Sequence, residues 1–175
     1  MCRSCAAYGW AAEKLPSRIR YNLLAPDFHL NLNLALPMSS RSRAREVALQ
    51  ALFQEDLNPR DSRDQLAPFL QARLQDEQLR NFAEALVLGV MRNQSELDTL
   101  LESKADNWSL SRMAATDRNV LRMGAFEIRY ADTPDRVAID EALELAKRFG
   151  SAQSSQFVNG ILDKLILRKE KESDG

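Results

Sequence analysis

From Ser40 onward, apolar residues return every three to four positions, the spacing of helices that each bury one side. Val47, Ala48, Ala51 and Leu52 form the stripe of a first helix running to about Leu57, which Ser39, Ser40 or Ser42 can cap. Asn58-Pro59-Arg60-Asp61-Ser62 reads as a turn. A short helix over Arg63–Arg73 turns Leu66, Phe69 and Leu70 inward, with Pro68 placed to shorten or kink it. Asp76 opens a longer pattern through Leu79, Phe82, Ala83, Leu86, Val87 and Val90. After Asn93 or Ser95 it continues through Leu97, Leu100 and Leu101, as one long helix or two nearly continuous ones. Gly89 costs about 1 kcal/mol relative to alanine inside that pattern, and close helix–helix approach is the simplest reason to have it. Asp106-Asn107-Trp108-Ser109 is a connector, with Trp108 as a lid on the core. The next run, Leu110–Tyr130, has a turn before its main helix at Thr116 and buries Val120, Leu121, Gly124, Ala125 and Ile128. Asp132-Thr133-Pro134-Asp135 stops it.

The stretch Val137–Leu165 predicts a helical hairpin. Ala138, Ile139, Ala142, Leu143, Leu145, Ala146 and Phe149 share one face; Phe157, Val158, Ile161, Leu162, Leu165 and Ile166 share another. Gly150 is expected to end the first helix in a left-handed conformation, and Ser151 or Ser154 to cap the second. The mixed-charge end, Arg168 to Asp174, is expected to fray. No segment from residue 40 onward reads as a strand, so the fold class is all-α, about six or seven helices joined by short links.

Charge narrows the function. The formal net charge is −1, so nucleic-acid binding must come from a local patch rather than from the whole surface. Arg41, Arg43 and Arg45 crowd the start of the first helix. Cations there oppose the helix dipole by roughly 0.3–1 kcal/mol each, which points either to a solvated basic face or to an anion-binding patch. No run is long and apolar enough to span a membrane, and residues 41–175 contain no cysteine, which fits a reducing cytoplasm. Residues 1–37 lack sustained periodicity and hold both cysteines and the one histidine. Cys2 and Cys5 have the spacing of half a zinc site, and His29 alone does not complete it. This segment, up to Met38, is expected to be a disordered extension or upstream sequence translated from a misplaced start, which the intact mass of the natural product would decide.

The chemistry of catalysis is missing from residue 40 onward: no histidine, no cysteine, no glycine-rich phosphate loop and no nucleophile elbow. Asp140, Glu141 and Glu144 fall on the expected solvent side. Binding fits better than reaction. Arginines can neutralise phosphates and an aromatic can stack a base, a pairing suited to single-stranded RNA. The polar turn at 151–156 and Phe157 could supply the second half, although burial statistics alone make Phe157 a core residue.

The segments Arg43-Ala44-Arg45-Glu46-Val47-Ala48-Leu49-Gln50-Ala51-Leu52-Phe53, Val137–Gly150, Phe157–Lys164 and Val120-Leu121-Arg122 with Ala125-Phe126-Glu127 resemble the NusB family of transcription antitermination proteins. The resemblance covers about residues 40–168, and its beginning just after Met38 agrees with a start there. It implies an all-α fold of two small helical bundles. It also implies binding of the boxA element of ribosomal RNA leader transcripts together with NusE, a ribosomal small-subunit protein. The pair acts within a complex that keeps RNA polymerase from terminating early. No catalysis and no cofactor are implied.

Carried over residue by residue, the resemblance assigns RNA contact to Arg41, Ser42, Arg43 and Arg45, with Ser42 interrupting a run that some members keep basic, and to Phe157 at the head of the last helix. It assigns the NusE side to Phe53, often tyrosine elsewhere, and to Asp117 before the Val-Leu-Arg motif. Replacing Arg43 and Arg45 by glutamate is then expected to weaken RNA binding strongly. Two other readings are a helical domain like that preceding some ribosomal RNA cytosine methyltransferases, for which a downstream catalytic domain is the discriminating feature, and a purely protein-binding module. The family includes both monomers and dimers.

Overall fold

The computed structural model describes residues 40–58, 65–104 and 109–173, with side chains up to Ile166. The expectations for residues 1–37, for most of the turn after Asn58 and for Trp108 lie outside these residues. Among the described residues there are α1 (Ser40–Leu57), α2 (Leu66–Arg73), α3 (Glu77–Arg92), α4 (Gln94–Glu102), a 3-10 turn (Leu110–Arg112), α5 (Ala115–Tyr130), α6 (Asp135–Phe149) and α7 (Ser154–Ser173), and no strand.

Boundaries follow local chemistry. The Asp76 side chain accepts from the Leu79 amide at 3.1 Å and so caps α3, the position at which the sequence predicted a helix start. Asn93 separates α3 from α4, so the long pattern is two nearly continuous helices; its side chain also donates to the Gly89 carbonyl at 2.8 Å. α2 begins at Leu66, three residues after the expected start, so that Pro68 falls in its first turn. Pro68 is the third helical residue, where a missing N–H has no intrahelical acceptor to lose. α7 continues to Ser173. Arg168 to Glu172 are all good helix formers and extend a helix already anchored by its apolar face.

Two groups of helices share the core. α1, α2 and α3 pack together, with α4 following α3, and α5, α6 and α7 pack together. α5 touches α1, α3 and α4 as well as its own group, and so joins the two. Val47, Ala48, Leu86, Val87 and Val90 belong to one buried cluster with Leu121, Met123 and Ile128 of α5 and with Ala142, Ala146, Val158, Ile161 and Leu162 of α6 and α7. The buried faces predicted for α5 and for most of α6 and α7 are buried, while Leu143, Phe149 and Phe157 pack against the core with part of their surface open.

Two glycines act by proximity. A Cβ at Gly89 would collide with the tip of the Phe126 ring on α5, which is the close approach its position suggested. Gly150, expected to be left-handed, instead has φ −93° and ψ −168°, extended backbone that any residue adopts. It is glycine because a Cβ there would collide with the Ser154 side chain and the Ala146 carbonyl. The turn is closed by hydrogen bonds instead: the Ser151 amide donates to Ser154 Oγ at 2.8 Å, and the Ser154 amide to the Ser151 carbonyl at 3.1 Å.

Candidate functional site

The basic start of α1 divides by helical phase. Arg41 and Arg45, four residues apart, lie on the same side and both stand over the Phe82 ring of α3, at 5.5 and 5.1 Å. Arg41 is exposed. Arg45 is one turn deeper, where Ala44, Val47 and Ala48 are already inaccessible, and its side chain is only 3% exposed. Its guanidinium makes a two-pronged bond to Glu127 of α5, at 2.9 and 2.7 Å, and lies 3.6 Å from Glu141 of α6. Thr133 donates to the same Glu127 carboxylate at 2.9 Å, and the Ser42 hydroxyl donates to Glu141 at 2.7 Å. Arg45 is therefore largely buried and holds α1 against α5 and α6. Glu141, expected on the solvent side with Asp140 and Glu144, is drawn inward by this cluster, whereas the other two are exposed.

Arg43 points away from this cluster, its side chain 45% exposed, and bonds Glu46 at 2.8 Å. Arg148, at the end of α6, reaches the same Glu46 oxygen at 3.3 Å. Glu46 is itself buried. Through Glu46 and Arg148, Arg43 is tied to the end of α6 from which the exposed turn Ser151-Ala152-Gln153 departs toward Phe157. Arg43 is thus linked to the end of α6 and Ser42 to Glu141 on the same helix, while Phe157 has a half-buried ring against the core.

Phe53 and Asp117 belong to another place. Phe53 is ten residues beyond Arg43 on α1, about 15 Å along the axis at 1.5 Å per residue. One turn further on, Asp56 accepts from Arg118 at 2.9 Å, from Asn119 at 2.9 Å and from Arg122 at 3.2 Å, all on α5. Arg122 also grips Asp98 of α4 with two bonds of 2.7 Å. Burial would lower the Arg122 pKa, but the hydrogen bonds and charges of Asp98 and Asp56 outweigh it and raise the value above that of a free arginine. This cluster fixes the end of α1 to the start of α5, where half-buried Phe53 and Asp117 stand. Asp117 is in the first turn of α5, where the helix dipole favours a carboxylate, yet its Oδ1 is inaccessible and has no hydrogen-bond partner.

Sequence reasoning missed Glu46, Arg148, Asp56 and Asp98. Apart from Glu46 with Arg43, three residues apart on α1, nothing in their spacing pairs them, because their other partners are brought together by packing of separate helices. Among the described residues no group of three or more His, Cys, Asp or Glu is placed to hold a metal ion, and no helix is long and apolar enough to cross a membrane.

These features define an all-α protein of two joined helical groups, with a basic helix start at one end of α1 and an aromatic–acidic pair toward the other. The chain belongs to the NusB family, whose sequence profile matches residues 42–167. It is 44% identical over 140 residues to the transcription antitermination protein NusB of Trichlorobacter lovleyi, covering 78% of this chain and 99% of that protein. It is 42% identical to that of Myxococcus xanthus, covering 77% and 99%. The solved structure of T. maritima NusB, 36% identical, superposes with a TM-score of 0.64 over 75% of this chain and 91% of that one. A structure described as antitermination factors NusB and NusE in complex with dsRNA, 23% identical, shares the fold, with a TM-score of 0.65 over 73% and 96%. The family is one of transcription antitermination proteins, not of enzymes.

Proposed function

We propose that this protein is a transcription antitermination factor that binds the boxA element of ribosomal RNA leader transcripts together with NusE, within the RNA polymerase antitermination complex in the cytoplasm. Family membership supports the class of function. The observation that carries the RNA reading is the start of α1, where exposed Arg41 and Arg43 flank Ser42 and Arg43 is tied through Glu46 to Arg148 at the end of α6, before its polar turn. In this reading Arg41 and Arg43 meet phosphates, Ser42 lines the same surface, the open edge of Phe157 stacks on a base, and Arg45 positions the helix. Phe53 and Asp117 face NusE. Their place together at the junction of the end of α1 and the start of α5 supports that role.

Titration of boxA RNA with and without NusE tests the proposal. Salt-sensitive binding that NusE strengthens is expected. Binding to NusE with no contribution from RNA in the mixture would leave a protein-binding module and overturn the RNA reading.

A further inference from the structure

Three of the four glycines among the described residues have a packing reason to be glycine. A Cβ would meet the Phe126 ring at Gly89, the Leu162 side chain at 2.7 Å at Gly124, and the Ser154 side chain at 2.5 Å at Gly150. Gly160 has no such reason: a Cβ there would meet nothing within 4 Å among the described residues. It is exposed and lies inside α7, in the second turn. Glycine is the poorest helix former after proline, so the fold alone favours another residue at this position. Gln156 and Phe157 lie four and three residues earlier, on the same side of the helix. Gln156 is exposed, and Phe157 keeps part of its surface open. Three residues further on, Asp163 accepts from Asn159 at 2.8 Å and lies 3.6 Å from Arg136. Bare backbone thus stands beside an aromatic edge, with a carboxylate beyond it.

We propose that Gly160 belongs to the RNA surface, and that its bare backbone is the floor on which the nucleotide stacked against Phe157 rests. The inference rests on the RNA-binding reading above and adds to it a residue with no charge and no side-chain donor. Residues three apart on a helix are neighbours, about 5–6 Å between Cβ atoms. A nucleobase is wider than a phenyl ring, so a base lying on Phe157 overhangs position 160. A side chain there would lift the base off the ring. Gln156, one turn before Gly160, is placed to hydrogen-bond a base edge through its amide. The Asp163 carboxylate disfavours phosphate at this end, which leaves the base over α7 and the phosphates to the arginines of α1. Helix stability is thereby traded for contact, as is common at binding surfaces.

The test compares full-length wild type with G160A and G160Q. Alanine and glutamine are good helix formers and the position is open, so both melting temperatures are expected to rise by a few degrees. In anisotropy of boxA RNA with NusE, G160Q is expected to bind at least about fivefold more weakly, the loss of one base stack, and G160A to be weakened less. The salt dependence is expected to match wild type, because no cation is removed. In an F157L background, which loses the ring but keeps an apolar side chain against the core, G160Q is expected to cost little further affinity. A raised melting temperature with unchanged RNA affinity would overturn the inference while leaving the RNA-binding reading intact. A lowered melting temperature in G160A would assign the glycine to the fold and overturn it as well. Weaker binding of G160Q to NusE without RNA would assign position 160 to the protein partner, with the same result. Wild type that fails to bind boxA RNA would instead overturn the RNA-binding reading itself.

Discussion

Arg43 and Arg45 stand two residues apart on one helix and are expected to respond to mutation in different ways. Arg45 is buried against Glu127, so Arg45→Met leaves a carboxylate uncompensated in the core. Breaking a buried pair from one side costs about 3–5 kcal/mol. Urea unfolding is expected to show a loss of that order, and a loss below about 1 kcal/mol would mean the pair is less committed than its geometry. Arg43→Gln removes a half-exposed partner and is expected to change stability by no more than about 0.5 kcal/mol while weakening RNA binding. Glutamate at both positions would therefore confound unfolding with lost contact, and single substitutions separate the two. At the partner side, Asp117→Asn is expected to leave the melting temperature within a few degrees and to weaken NusE binding. Unaltered NusE affinity in calorimetry would remove Asp117 from that surface.

At the scale of elements, Gly89 shows packing overriding propensity. In an exposed helix, Gly→Ala stabilises by about 1 kcal/mol. Here the added methyl meets the Phe126 ring of α5. Overpacking of this kind costs typically about 1–3 kcal/mol, so Gly89→Ala is expected to be net destabilising in thermal melts; a rise in melting temperature would show that Phe126 moves aside freely. The helical hairpin carries the complementary lesson. The buried faces of α6 and α7 were legible because a stripe repeating every 3.6 residues has one physical explanation. The conformation of Gly150 was not, since a glycine after a helix is as useful for close approach to Ser154 as for a positive φ.

For the whole molecule, the family profile spans residues 42–167, so a chain begun at Met38 retains all of it. Such a chain is expected to bind boxA RNA and NusE as tightly as the full chain. A tenfold loss would give residues 1–37 a role of their own. Because the net charge is only −1, RNA affinity is expected to fall steeply with salt through a few local arginines, rather than through a general cationic field. Local chemistry along the chain was enough to set the helices, their buried faces, the cap at Asp76 and the basic start of α1. These depend on neighbours within a turn or two, and such neighbours are written consecutively. Which arginine faces water was decided only by tertiary structure. Arg41, Arg43 and Arg45 are the same residue on the same helix, and their fates diverge because Glu127 and Glu141 arrive from 82 and 96 positions away to claim Arg45. The pairing of Arg148 with Glu46, and of Asp56 with Arg122, has the same origin: a charge is satisfied by whatever the packed helices bring within about 3 Å of it, and sequence spacing carries no record of that distance.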